Sequence, residues 1–241
     1  MNLKDKTVLV TGASRGLGAA LAQALGRKGA RVVLVARGEQ ELEAVADGIR
    51  REGGTAVAIP GDLGDKTDIH RVAGIAAATS GPVDVVFHNA STLGKTPLRP
   101  LLDTDCEDLE RVLAVNLVGP FRLTKVLAGS MALCGAGLVV HVTSDASVNA
   151  YPTWGAYSVS KAALDHLGRV LGAELAELGV KVLSVDPGEM RTQMHADAIP
   201  DADPATLADP DDVARRLVSI VEHSATLVTG ARLEASTWSV A

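Results

Sequence analysis

The sequence predicts an α/β fold: a doubly wound parallel sheet of about seven strands with helices on both faces, built as a single domain over residues 1–241. Three observations predict it. Short β-branched runs alternate with helical stretches along nearly the whole chain, the order that right-handed crossovers turn into a parallel sheet. Several runs, such as Val32-Val33-Leu34-Val35, are apolar at consecutive positions, the mark of strands covered on both faces. Finally, 241 residues of which 47% are hydrophobic can bury a large core without disulfides or metals.

Taken in order, β-branched runs predict strands at 7–10, 31–36, 55–59, 83–88, 137–143 and 180–185, with a last one within 231–235. Segments rich in Ala, Leu, Glu and Arg predict the helices between them, over 16–28, 39–52, 65–78, 105–133, 155–178 and 210–223. One stretch breaks the rhythm. Residues 189–210 carry Pro200, Pro204 and Pro210 among many Asp and Ala, too long for a plain connection. A substrate lid and a surface excursion are both consistent with it.

Charge and cysteine usage narrow the function. A net charge of −6 argues against nucleic acid, whose phosphates need a basic face. Cys106 and Cys134 stand outside any CxxC spacing and fit a reducing compartment. The six histidines show no HExxH or clustered spacing, so no metal is expected. The N-terminus runs directly into the first strand, and no uninterrupted apolar stretch reaches bilayer length. The expectation is a cytoplasmic protein without membrane or nucleic-acid partners.

After the first strand comes Thr11-Gly12-Ala13-Ser14-Arg15-Gly16-Leu17-Gly18, followed by a helix. Strand, glycine-rich turn and helix N-terminus form a pyrophosphate-binding arrangement. Glycines admit the ligand close to the backbone, and free helix N–H groups favour its charge. This points to a Rossmann-like nucleotide-binding fold. The second strand ends in Ala36-Arg37-Gly38, without the acid that would accept from a ribose 2′-hydroxyl. Arg37, with Arg15 in the turn, suits a 2′-phosphate instead, so the expected cofactor is NADP(H).

Tyr157 and Lys161 stand four apart on a predicted helix and share one face. A nearby ammonium is expected to lower the phenol's pKa and make it a usable acid or base. Lys161 is also within reach of the nicotinamide ribose hydroxyls. The fifth strand ends in Val142-Thr143-Ser144, on the sheet edge where α/β ligand sites form. Ser144 there can hold a substrate oxygen.

Together these residues resemble the compact branch of the short-chain dehydrogenase/reductase family over essentially the whole chain. The resemblance is carried by Gly12, Gly16 and Gly18, and by Asp62-Leu63 after the third strand. It extends through Asn89-Ala90, Asn116, Ser144, Tyr157 and Lys161 to Pro187-Gly188 with Thr192. It implies that Ser14, Arg15, Leu17, Arg37, Asp62, Leu63, Asn89, Ala90, Pro187, Gly188 and Thr192 join the glycines, Tyr157 and Lys161 around the cofactor. It implies hydride transfer to a carbonyl carbon, with Tyr157 protonating the oxygen and Ser144 hydrogen-bonding it. Lys161 would orient the ribose and tune Tyr157, while Asn116 positions a water for proton return.

Departures are His88 and Ser91 flanking Asn89-Ala90, Asp145 after Ser144, and a C-terminus without the family's glycine-rich ending. Asp145 biases the pocket toward polar or cationic substrates. Met190, Met194 and Leu93 suggest apolar lining, and Asn149 and His195 polar anchoring. The resemblance further implies a homodimer or homotetramer, paired through the long helices. Leu164, Leu167 and Leu171 are expected to form an apolar outer face there. The leading reading is an oxidoreductase of a small or medium carbonyl or alcohol substrate. Its rivals are a 3-oxoacyl-[acyl-carrier-protein] reductase and a catalytically silent NADP-binding regulator. Glu174 and Glu177, with Asp197, Asp201 and Asp203, would repel an acidic carrier.

Overall fold

A computed structural model describes residues 1–239. In chain order its first half comprises β1 (Thr7–Thr11), α1 (Gly16–Arg27), β2 (Arg31–Ala36), α2 (Glu39–Arg51), β3 (Thr55–Pro60), α3 (Lys66–Ser80) and β4 (Val85–His88). Then come α4 (Cys106–Leu113), α5 (Gly119–Leu133), β5 (Gly137–Val142), α6 (Gly155–Leu175), β6 (Val180–Asp186), α7 (Gln193–Ala198), α8 (Pro210–Glu222) and β7 (Arg232–Glu234). The strands form one parallel sheet in the order β3-β2-β1-β4-β5-β6-β7. The order reverses between β1 and β4, which opens a crevice beyond their carboxyl ends.

Unbroken apolar strands follow from burial on both faces. Val8 and Val10 face a core shared with Leu21 and Leu25 of α1 and Leu217 and Ile220 of α8. Leu9, between them, faces the opposite core with Ile69 and Val72 of α3 and Leu123, Leu127 and Met131 of α5. Each such side chain contributes about 1.5–3 kcal/mol on leaving water. The predicted elements are therefore present, with the fourth strand shorter than 83–88 and the last trimmed to three residues.

The predicted helix 105–133 is continuous in path but not in hydrogen bonding. A π turn, Ala114–Val118, separates α4 from α5, and the Gly119 N–H reaches back five residues to the Ala114 carbonyl. Pro120 explains it: without an N–H, it leaves the Asn116 carbonyl no partner four residues on. This helix, Cys106–Leu133, also has the length and composition of a membrane span. Arg122 and Lys125 interrupt its apolar run, and its buried leucines pack on the sheet. A second correction concerns α6. Leu164 is buried and Leu171 packs on the core, so they form no outer face; the exposed apolar residues of that helix are Val159 and Val170.

Two histidines stand side by side in the sheet interior. His88 of β4 is in register with His141 of β5, their ring centroids 5.4 Å apart. His88 Nε2 meets Thr124 Oγ1 at 2.8 Å, while both ring nitrogens of His141 lack partners. Burial pushes His141 down to about 4, and burial with the neighbouring ring holds His88 well below the imidazole range. The unfolded chain therefore takes up protons first as pH falls below about 6.5, and stability drops until the native ring itself titrates near 4. By pH 5 the His141 contribution to this loss is about 2 kcal/mol. Urea denaturation of wild type and His141→Leu at pH 7.5 and pH 5 should show the variant losing that much less. Parallel losses in the two proteins would refute the assignment.

Candidate active site

The crevice begins at the glycine turn between β1 and α1. Gly12 and Gly16 take φ of +67° and +55°, which side-chain-bearing residues rarely adopt. At Gly18 the reason is proximity: a Cβ would stand 2.1 Å from the Gly12 carbonyl oxygen. The Asn89 side-chain amide donates to the carbonyls of Thr11 (2.9 Å) and Gly12 (3.2 Å). The Asn89 and Ala90 N–H groups both donate to Thr11 Oγ1 at 3.0 Å. Asn89 thus braces the turn, and its amide is spent on protein. No side chain caps α1, so its first N–H groups are open to an anion. Thr192, from the loop after β6, brings its methyl against Gly16, 3.3 Å from where a Cβ would lie. These features fit a pyrophosphate cradle.

At the far end of the crevice, Arg15 and Arg37 are exposed and in no ion pair among the described residues. Ser14 lies half-buried in the turn. Asp62 Oδ2 accepts from the Arg111 guanidinium at 2.6 Å, and its Oδ1 accepts the Gly64 N–H at 2.8 Å. Burial raises this carboxyl, but Arg111 and the Gly64 N–H outweigh it and hold the group below the usual range. The side chains of Leu17 and Leu63 belong to the core, leaving only their backbones for a ligand. Pro187 and Gly188 follow β6, where the Gly188 N–H donates to Asp186 Oδ1 at 3.0 Å.

The reactive group gathers where β5 meets α6. Lys161, only 2% exposed, donates from Nζ to the Val142 carbonyl at 2.7 Å and stands 5.6 Å from the Tyr157 ring centroid. The hydroxyls of Ser144 and Ser91 face the Tyr157 phenol and favour its ionised form. Asn116, in the π turn, donates to the Thr92 carbonyl and Ser160 Oγ, both at 2.9 Å, and accepts from Thr92 N–H at 2.8 Å. Ser160 in turn donates to the Tyr157 carbonyl at 2.7 Å. The Asn116 side chain is therefore fully used in tying α6 to the loop after β4. Pro120, without an N–H, leaves the Asn116 carbonyl no partner four residues on.

The expected lowering of the Tyr157 pKa is not what the fold produces. Burial outweighs the serine hydroxyls, and the carboxylates of Asp186 and Asp145 add to it, so the phenol is pushed up to about 12. Burial also brings Lys161 down to about 8, against the pull of Asp165 and Asp186. The lysine lies too deep, and too committed to the Val142 carbonyl, to be the dominant influence on the phenol. Tyr157 accordingly carries its proton through the neutral range.

Beneath these residues lies a charge network that local sequence gave no sign of. Arg232 of β7 donates to Asp165 Oδ2 (3.2 Å), Asp186 Oδ2 (2.9 Å) and the Ser144 carbonyl (3.1 Å). Asp165 also accepts from Ser147 Oγ at 2.5 Å. One guanidinium thus joins the catalytic loop, α6 and the end of β6. Arg111 and Ser160 were missed for the same reason: their partners come from distant segments.

A shallow cleft opens beside Tyr157, with Leu93, Leu98, Trp154 and Lys95 among its walls. The 189–210 excursion is closed at its base. Arg191 N–H donates to the Ala208 carbonyl (3.0 Å), Ala208 N–H to that of Glu189 (3.1 Å), and Arg191 pairs with Asp209 at 2.7 Å. Its helix α7 packs Met194 and Ala198 against the cluster of Leu93, Ala146 and Tyr157. Met190 packs instead on the core that contains α1 and α8, and Asn149 is exposed. His195 is nearly covered; neither ring nitrogen is hydrogen-bonded, and Nε2 lies 3.8 Å from Glu189 Oε1.

Removing Arg232 strands two buried carboxylates. Arg232→Met should cost about 3 kcal/mol in urea denaturation. Adding Asp165→Asn should recover part of it, because the amide needs no counter-charge. A change within about 0.5 kcal/mol for the single variant would show the network to be energetically idle.

Residues 6–203 match the family model for short chain dehydrogenases. Among curated relatives, D-threitol dehydrogenase of Mycolicibacterium smegmatis is 30% identical over 240 residues, covering 96% of this chain and 91% of its own. 3β-Hydroxysteroid dehydrogenase 1 of Eggerthella lenta is 31% identical over 244 residues, covering 96% and 92%. A crystal structure of a short chain dehydrogenase from Shigella flexneri 2a complexed with NADP superposes with a TM-score of 0.91 at 30% identity, covering 98% of each chain. The family model and the doubly wound sheet shared with these relatives lead to one conclusion: the chain belongs to the short-chain dehydrogenase/reductase family of oxidoreductases.

Proposed function

We propose that this oxidoreductase uses NADP(H) to interconvert a carbonyl and a secondary alcohol on a small or medium organic substrate. The observation that carries the reading is the neutral Tyr157 phenol, buried over Lys161 and facing Ser144, at the end of a crevice whose other end holds Arg15 and Arg37. The cofactor supplies the hydride. Gly12, Gly16, Gly18 and the open N-terminus of α1 would hold its pyrophosphate, and Arg15 and Arg37 its 2′-phosphate. Pro187, Gly188 and Thr192 would border the nicotinamide, and Lys161 its ribose. As the carbonyl carbon takes hydride, Tyr157 gives its proton to the oxygen and Ser144 steadies that oxygen. Lys161 passes a proton back, with a water on the Asn116 carbonyl as the path to solvent.

The relative named for D-threitol and the one named for a 3β-hydroxysteroid act on alcohols, which supports this substrate class. An NADP-bound neighbour supports the cofactor. Reduction of acyl-carrier-bound ketones is disfavoured by exposed acids on α7 and its flanks, among them Asp197 and Asp201. Retention of Tyr157, Lys161, Ser144 and Asn116 disfavours a silent regulator. We further propose a single cytoplasmic domain with residues 189–210 as its lid. Self-association through the helices that expose Phe121, Val126, Val159 and Val170 completes the reading.

NADPH consumption with ketones, aldehydes and quinones should be lost by about 10²–10⁴-fold in Tyr157→Phe. Arg37→Asp should shift the NADPH-over-NADH preference about tenfold toward NADH, the effect of one lost phosphate contact. Wild-type reduction should hold level at neutral pH and decline as pH rises through about 8, where Lys161 loses its proton. Turnover indifferent to Tyr157, or a wild-type preference for NADH, would overturn the corresponding part of the reading.

A further inference from the structure

Asp145 takes no part in the reaction above, yet it stands one hydrogen bond from it. Ser144 Oγ donates to Asp145 Oδ1 at 3.0 Å, and the Tyr151 phenol donates to Asp145 Oδ2 at 2.6 Å. A carboxylate offers about four acceptor positions, so both oxygens keep capacity for another donor. No cation neutralises it: among the described residues Asp145 forms no salt bridge. The two nearest buried cations are committed elsewhere, Lys161 to the Val142 carbonyl and Arg232 to Asp165 and Asp186.

The Ser144 hydroxyl links Asp145 to the reacting centre. A hydroxyl has one hydrogen and two lone pairs. The Ser144 hydrogen points to Asp145, and one lone pair accepts the Ala146 N–H at 3.2 Å. When that hydrogen turns to a substrate oxygen, Asp145 Oδ1 is left with a further open acceptor position, so the carboxylate alone presents two acceptors. A wall of edge-packed rings runs from the carboxylate to the catalytic phenol, with Tyr151 and Trp154 centroids 6.4 Å apart and those of Trp154 and Tyr157 5.8 Å apart. A substrate group lying along this wall, next to the carbon that reacts, meets two acceptors and an uncompensated negative charge. Glu189 adds to that charge from the side of Tyr151.

We propose that Asp145 is the specificity-determining residue of this site, selecting substrates that carry an ammonium or hydroxyl group beside the reacting carbon and excluding carboxylates. The proposal rests on the oxidoreductase reading above for its substrate frame. A donor there completes the empty acceptor positions of Asp145, whereas an anion meets like charge in a partly desolvated cleft.

The test uses three methyl ketones that differ only in a terminal primary ammonium, hydroxyl or carboxylate group. Each is measured as substrate with NADPH and as ligand of the NADP⁺-loaded protein by calorimetry. Wild type should favour the ammonium and hydroxyl probes over the carboxylate at least tenfold in kcat/KM and in affinity. In Asp145→Asn and Asp145→Ser, each checked for a native melting profile, that ratio should fall at least fivefold, carried by KM and not by kcat. Calorimetry on Tyr157→Phe should keep the wild-type order. An order that persists in binding without any turnover would sustain the selectivity while sinking the reaction. A ratio unchanged in both Asp145 variants would sink the selectivity while leaving the reaction standing.

Discussion

A lysine ammonium 2% exposed is costly to keep charged, and much of this site is arranged around that cost. Lys161 gains one direct hydrogen bond, donated to the Val142 carbonyl, and longer-range support from Asp165 and Asp186. Those two carboxylates are themselves buried, and Arg232 compensates them from the last strand of the sheet. The chain of dependence runs from the catalytic helix, through two acids, to a residue near the C-terminus. Burial nevertheless brings the ammonium down to about 8, against the pull of those two acids.

The same economy governs the phenol. Burial keeps Tyr157 protonated against the pull of the Ser144 and Ser91 hydroxyls, and the neighbouring acids Asp186 and Asp145 reinforce it. A site so biased holds an acid ready for a developing oxyanion, which is the demand of carbonyl reduction. The π turn contributes in a different currency. By using its side chain on Thr92 and Ser160, Asn116 locks the loop after β4 to the catalytic helix, and Pro120 frees its carbonyl in doing so.

The sheet supplies the frame for both. Because the strand order reverses between β1 and β4, the glycine turn, Asn89 and the serine at the end of β5 converge on one edge. Asn89 shows how tightly: its amide bridges two carbonyls of the turn, and at Gly18 no Cβ has room. Backbone packed this closely leaves few arrangements for the turn, which is the pre-organisation that phosphate binding needs.

Much of this was legible in the chain before folding. Consecutive apolar residues such as Val8-Leu9-Val10 announce a strand buried on both faces, and the glycines at 12, 16 and 18 announce a turn no other residue tolerates. The four-residue spacing of Tyr157 and Lys161 places them on one helix face, because helical periodicity is a local property. Protonation states were not legible. Adjacency suggested that Lys161 would acidify Tyr157, whereas burial, a property of the whole packed core, decides the balance the other way. Nor could spacing reveal that Arg111 meets Asp62, that His88 meets His141, or that Arg232 meets Asp165 and Asp186. These partners come from segments far apart in sequence, and only the closing of the sheet brings them within reach of one another.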